Sequence, residues 1–503
     1  MMGIVLVGLA LRLLFFWLDR SLWLDEALVS LNIVQRDFLG LLDPLEGDQA
    51  APPFSLWLSK LCVMLVGPSE HALRFPALLA SVLSLLCFPA LSKRLLPPAG
   101  AATALACFAF LPACVLYSAE VKPYALDCCA AVLLSLLALR HSQAPSSASW
   151  FGLILAGALA PWFSYASVFV LAGIGVVLLL KAWPAGRPSR IRVIGLGICW
   201  ALSFLGLWML VASETAANEN FARYWESAFL PFPPTSPRDL GLLVSGFFGF
   251  FEAPFEARYF HPSGNFTPLV AGLAAFLAVF GGLAPGRELT GGLRFLIAPV
   301  LAAALASALG LYPFTGRFLL VFAPAVALLI GAGCQALLAA ETRASPSAAA
   351  RLSCLLRNLA APGLVLLLAA LASSQLFVRP KGAVQTRQAV RHLATQMESG
   401  DTLLVHMRSL AALLFYEQTD PACALPEHQR ILVAEPALGV PGMLSDPQEA
   451  RDAKRVWYLF EEDWSTEHPS GIVGAGLESR KAVTGSAAFE GTQLLFFDMD
   501  AAN

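Results

Sequence analysis

Of 503 residues, 33 are Lys or Arg and 35 are Asp or Glu, so 14% are charged while 57% are hydrophobic, and mean hydropathy is +0.67. Soluble domains carry about 25% charged residues, so this composition excludes a disordered chain, a nucleic-acid binder with a basic surface, and an ordinary soluble enzyme. The 10 cysteines stand mostly alone in apolar runs, with no CxxC pair, which argues against a disulfide framework or a zinc site.

In chain order, apolar runs near the roughly 20 residues needed to cross a bilayer occur at 2–18, 72–92, 99–118, 122–140, 149–163, 165–183, 191–211, 266–283, 292–311, 317–339 and 357–377. They predict about eleven spans. The first carries Arg12 and has no small-residue cleavage site, so it reads as a retained anchor. The run 149–183 is too long for one crossing and is expected to break near Pro161 and Ser164. Between the first two spans, Pro52-Pro53-Phe54-Ser55 opens an apolar stretch to Val66 that is too short to cross. It reads as an interfacial helix in a long first external loop.

From Pro380 onward there are 10 basic and 17 acidic residues, which is nearly a soluble composition. A helix is expected at 386–397, strands at 401–406, 430–434, 456–460 and 492–497, and a helix at 447–454. The fold class is therefore an α-helical polytopic membrane protein (1–379) with a small C-terminal α/β domain (380–503). That domain shows no GxGxxG, P-loop or nucleophile elbow, and no chemistry is assigned to it.

A cytoplasmic N-terminus puts Lys93, Arg94, Arg140, Lys181, Arg187, Arg190, Arg192, Arg287, Arg294, Arg343, Arg351 and Arg357 in inner loops, against only Glu288 and Glu341. This satisfies the positive-inside rule and leaves the C-terminal domain outside. Of the bases left on the outer face, Arg74, Lys122 and Arg317 each stand at the start of an inward-running helix. A cation is disfavoured at a helix N-terminus, so the three suggest a bound anion such as phosphate. The alternative is that they snorkel to the interface and pair with loop acids. Acids share that face: Asp25 and Glu26 after the first span, Asp48 before the Pro-Pro helix, and Glu120 beside Lys122. A carboxylate there suits proton removal from a hydroxyl, or Asp25 and Glu26 could share a divalent cation; solvated loop acids and helix caps are the plainer alternative. Phe247–Glu252, with Glu256, Arg258, Tyr259 and His261, is either a cover for a lipid-filled groove or a packed interfacial segment.

Five stretches carry a resemblance. They are Ser21-Leu22-Trp23-Leu24-Asp25-Glu26-Ala27, Ala51-Pro52-Pro53-Phe54, Leu73-Arg74-Phe75-Pro76, Glu120-Val121-Lys122-Pro123-Tyr124 and Tyr312-Pro313-Phe314-Thr315-Gly316-Arg317. In this order they resemble the GT-C superfamily of integral-membrane glycosyltransferases, in the branch of protein O-mannosyltransferases, lipid A aminoarabinose transferases and rhizobial galacturonosyltransferases. The resemblance implies inverting transfer of a sugar from a polyprenyl-phosphate donor to a hydroxyl of an envelope acceptor (lipopolysaccharide, glycan, lipid or protein) at the periplasmic face of a bacterial inner membrane. It makes Asp25 the general base and has Glu26 orient the base or the acceptor. Lys122 and Arg317 would neutralise the lipid phosphate, and Asp48, Arg74, Glu120, Tyr124 and Tyr312 would line the substrate site. A divalent cation is compatible with the carboxylates but not required. Ala51 stands where the first two subgroups have a basic residue, and Lys122 where relatives often have Arg. A secondary transporter or lipid-linked-glycan flippase, and a non-catalytic scaffold, are the rival readings. The one-sided clustering of polar residues argues against a transporter.

Overall fold

A computed structural model describes residues 1–213, 223–255, 267–283, 287–341, 385–426, 430–433, 455–461, 485–489 and 491–498, with positions 363, 366, 367, 370 and 377. Contacts divide it into two units. The first comprises Met1–Trp17, Ala51–Leu58 and Arg74–Val378; the second comprises Leu18–Ala50, Ser59–Leu73 and Arg379–Asn503.

Ten of the eleven apolar runs coincide with helices of the first unit. They are α1 (Met2–Phe16), α4 (Glu70–Leu95), the pair α5 (Pro98–Phe110) and α6 (Pro112–Leu116), α7 (Tyr124–Gln143), α8 (Ser147–Phe163), α9 (Ser167–Ala182), α10 (Arg187–Leu207), α12 (Thr267–Leu283), α13 (Arg287–Ala308) and α14 (Ala323–Glu341). The run 357–377 lies outside the described residues, as does the expected helix 447–454. Among the described residues four helices are long and apolar enough to cross alone, Glu70–Leu95, Tyr124–Gln143, Arg187–Val211 and Gly316–Leu338, and Pro98–Phe110 with Pro112–Ala119 passes the same length and hydropathy test as a pair bent by 54°. The others are shorter apolar helices. The Pro-Pro stretch is α3 (Pro53–Val66), and the Phe-rich segment is α11 (Pro237–Glu252), whose Ser236 and Asp239 form a reciprocal capping box.

Sequence explains both helix breaks. Pro112 has no N–H, so the Phe108 carbonyl loses its helical donor. The buried Arg12 guanidinium donates to the Phe108 and Ala109 carbonyls at 3.4 and 3.0 Å, to the Gly8 carbonyl at 2.9 Å, and to Ser81 Oγ at 2.9 Å. The second break falls at Ser164–Ala166, where the Ser167 N–H bonds Ser164 Oγ at 3.1 Å. Pro161, expected to share in that break, sits inside α8. Packing centres on α14, the most buried of the long spans. Its Gly331 meets the backbone of Gly100 in α5, and its Gly333 meets that of Leu277 in α12, so close that neither glycine has room for a Cβ. Small residues at these seams let membrane helices approach closely.

In the second unit a five-stranded sheet has the order β2-β1-β3-β5-β4. The strands are β1 (Thr402–Val405), β2 (Arg430–Val433), β3 (Arg455–Glu461), β4 (Gly485–Phe489) and β5 (Thr492–Asp498). β1 pairs in parallel with β2 and β3, whereas β5 is antiparallel to β3 and β4. All four β1 residues are buried, as a central parallel strand requires. Leu404, Leu432, Val456, Tyr458, Phe460 and Phe497 form the core. Two further helices belong to this unit, α15 (Thr386–Gln396) and α16 (Met407–Thr419); α16 packs along α2 (Leu24–Gln35), which follows α1 in the chain. Sequence reading missed α16 and β4. β4 is an edge strand whose short Gly/Ser/Ala run carries little strand signal.

Candidate functional site

The candidate residues fall into two groups, one in each unit. In the first unit, Ala77 and Ala80 of α4 pack with Ala125 and Cys129 of α7. Arg74 stands one turn before Ala77, and Lys122 lies three residues before Ala125, so both cations are at the same end of paired helices. Arg74 is buried and Lys122 is half-buried. A 3-10 segment, Gly316–Phe322, leads into α14 and packs on α7, where the Cys128 thiol donates to the Leu320 carbonyl at 2.9 Å. That contact brings Arg317 to the same end of the bundle. Its guanidinium carbon lies 5.9 Å from the Tyr124 ring centroid and 5.7 Å from that of Trp225, within cation–π range.

Aromatic contacts fix this end further. Tyr117 and Tyr124 meet edge to face at 4.8 Å, closing the Glu120–Lys122 segment into a loop, and Glu120 is buried within it. Tyr312 donates from its hydroxyl to the Phe318 carbonyl at 2.9 Å, and Trp225 packs edge-on against Phe318 at 4.7 Å. Arg74, Glu120, Lys122, Tyr124, Tyr312 and Arg317, read from separate stretches of sequence, thus belong to one helix-end cluster. Fixed cations at helix N-termini are suited to stabilising a phosphate as negative charge develops on it.

Two residues of this unit escaped the sequence reading. Trp225 forms the second aromatic face against Arg317, and its only signal was an adjacent Tyr224-Trp225 pair between two apolar runs. Asp127 is buried one turn into α7, where Ser164 donates to it at 2.5 Å. An ionisable residue inside a membrane helix is a functional candidate by default, yet a lone acid in an apolar run carries no second sequence mark.

In the second unit α2 begins with Asp25 and Glu26 in its first turn, after Trp23 in extended conformation. Both carboxylates gain from the helix dipole; Glu26 is buried and Asp25 half-buried. Asn32 ties α2 to the following loop: its Nδ2 donates to the Glu46 carbonyl at 3.3 Å, and its Oδ1 accepts from the Glu46 N–H at 3.0 Å. Gly47 presses against Leu28, one turn beyond Asp25, and a Cβ at Gly47 would lie 2.6 Å from that side chain. Asp48, at φ 52°, therefore lies in a loop that abuts the same stretch of helix. Among the described residues no three His, Cys, Asp or Glu side chains converge as metal ligands.

Residues 50–215 match the family described as dolichyl-phosphate-mannose-protein mannosyltransferase. The whole fold is similar to that of ArnT from Cupriavidus metallidurans in the apo state (13% identity, 100% of this chain and 99% of that one, TM-score 0.56). It is also similar to the same protein bound to undecaprenyl phosphate (12%, 98% and 98%, 0.55). The archaeal oligosaccharyltransferase AglB from Archaeoglobus fulgidus, in complex with an inhibitory peptide and a dolichol-phosphate, is similar at 16% identity over 91% of this chain and 69% of that one, TM-score 0.52. No curated protein matches the sequence. The family match covers about a third of the chain, and the fold is similar to that of the ArnT and AglB structures.

Proposed function

We propose that this GT-C-type membrane protein transfers a sugar from a polyprenyl-phosphate donor to a hydroxyl group of an envelope acceptor at the periplasmic face of a bacterial inner membrane. The observation that carries the reading is the gathering of Arg74, Lys122 and Arg317 at one end of α4, α7 and the segment leading into α14, with Arg317 between Tyr124 and Trp225. The similarity to structures holding undecaprenyl phosphate and dolichol-phosphate supports it.

In the reaction, the acceptor hydroxyl oxygen attacks the anomeric carbon and the bond from that carbon to the phosphate oxygen breaks. The bonding electron pair leaves on the phosphate, and the hydroxyl proton passes to the Asp25 carboxylate. Glu26 orients the acceptor or the base. Lys122 and Arg317 meet the charge that grows on the phosphate, while Arg74, Asp48, Glu120, Tyr124 and Tyr312 shape the substrate site. If a divalent cation takes part, Asp25 and Glu26 are the carboxylates able to hold it.

The test begins with mass spectrometry of envelope glycolipids and glycoproteins from cells with and without the gene; the mass difference names the sugar, and its carrier names the acceptor. Membranes containing Asp25→Asn are then given that sugar on undecaprenyl phosphate, labelled in the sugar. Transfer is expected to vanish while the protein remains folded and inserted; retained turnover would remove Asp25 as the base. Movement of the lipid-linked sugar across the bilayer without transfer would favour a flippase, a class that shares broken helices.

A further inference from the structure

The entrance to α2 is held by residues far away in the sequence. Asp19 has φ 47°, a left-handed conformation that few residues other than glycine adopt. Arg387 of α15 bonds its carboxylate at 2.7 Å and also donates to Glu70 Oε1 at 2.9 Å. The same Glu70 oxygen accepts from the Tyr416 hydroxyl of α16 at 2.9 Å. The Tyr416 oxygen in turn accepts the Leu22 N–H at 2.7 Å. The Arg387 backbone N–H bonds Ser21 Oγ at 3.2 Å, and that hydroxyl donates to Gln388 at 3.3 Å. Leu22, Tyr416, Glu70 and Ser21 are buried. Burial opposes the Arg387 charge, but Asp19 and Glu70 outweigh it and hold the guanidinium above its ordinary value. At its other end α2 is stopped by Lys60, whose ammonium donates to the Ile33 and Val34 carbonyls at 2.9 and 3.2 Å.

We infer that Arg387 and Tyr416 are positioning residues for transfer, fixing the Asp19–Trp23 turn so that α2 presents Asp25 at one angle and depth. Neither residue need touch substrate. A left-handed Asp19 persists where surrounding contacts over-determine it, and here those contacts come from α15 and from Glu70. Leu22 is three residues before Asp25, so loss of the Tyr416–Leu22 bond frees the backbone immediately ahead of the helix. The inference gives the C-terminal segment a place in the chemistry although it carries no catalytic motif, and it rests on the reading of Asp25 as base.

The test uses the full chain in lipid nanodiscs with the labelled undecaprenyl-phosphate sugar at varied concentration, comparing Tyr416→Phe, Arg387→Gln, Arg387→Lys and Asp25→Asn. A displacement of about 1 Å at a reacting group lowers turnover by about 100-fold. Arg387→Gln is expected to approach that loss in kcat, Tyr416→Phe to lose about 10-fold on the same basis, and Arg387→Lys to recover part of it. Donor KM should stay within about twofold, the mark of a lost transition-state arrangement rather than of lost binding. Wild-type kcat in Tyr416→Phe and Arg387→Gln, with Asp25→Asn inactive, overturns the positioning role and leaves the base assignment standing. Losses that appear only as raised donor KM overturn it as well. Turnover in Asp25→Asn overturns the underlying reading instead. Should Arg387→Gln fail to fold, Tyr416→Phe, which removes a single hydroxyl, decides the matter.

Discussion

Arg317 shows why a residue's chemistry depends on more than its charge. Its guanidinium lies near two aromatic faces, Tyr124 and Trp225, an arrangement that suits a planar cation able to stack better than an ammonium. Arg317→Ala is expected to lower kcat for transfer by about 100- to 1,000-fold, the range for losing one preorganised donor at a developing charge. Arg317→Lys keeps the charge without the stacking and should fall between that variant and wild type. Equal activity of the Ala and wild-type proteins with the undecaprenyl-phosphate sugar would show that Arg317 faces no reacting phosphate.

At the scale of elements, the break between α5 and α6 is what makes Arg12 tolerable inside an apolar helix. Proline frees a carbonyl, and buried polar groups require partners; Arg12 supplies them from a neighbouring helix while satisfying its own donors. Arg12→Leu removes the buried charge but strands the Phe108 and Ala109 carbonyls. At about 1–3 kcal/mol for each unsatisfied buried group, the variant should melt at a lower temperature in detergent by several degrees. An unchanged melting curve would mean that the bend is maintained without Arg12. The glycine seams of α14 follow the same logic, with small residues placed where backbones must meet.

The two units of the whole molecule are held together internally by different forces. Apolar packing and close backbone approach dominate the first. The second relies also on ion pairs between sequence-distant segments: Arg387–Asp19, Arg391–Asp420 and Arg455–Asp401. Burial pushes the Asp420 carboxyl up, but the Arg391 guanidinium, the Ala422 N–H and the Cys423 thiol outweigh it and hold it below its ordinary value. A depressed carboxyl contributes stability that is fully present above the ordinary value of about 4 and lost as pH falls through the lower, folded value. The difference in melting temperature between wild type and Asp420→Asn, followed through the buried Trp457 of β3, should therefore be constant near neutrality and shrink below about pH 4. A difference that does not change with acid would show that Asp420 contributes no charge-dependent stability.

By itself, the sequence determined the membrane class, the positions of the apolar helices, the polar C-terminal segment and most of its strands. Hydropathy and strand periodicity act locally, and each run must bury its own face or meet lipid whatever the remainder of the chain does. It also singled out Arg74, Lys122 and Arg317, because a cation at a helix N-terminus is locally unfavourable and therefore conspicuous. Tertiary structure alone decided which residues accompany them. Trp225 and Asp127 gain meaning only from contacts with Arg317 and Ser164, across intervals that leave no periodic trace. Nor did anything near Arg387 or Tyr416 in the chain announce a connection to Asp19, Leu22 and Glu70. Those bonds join positions more than 300 residues apart, and a pairing at that separation is set by how elements pack, not by what any one segment prefers.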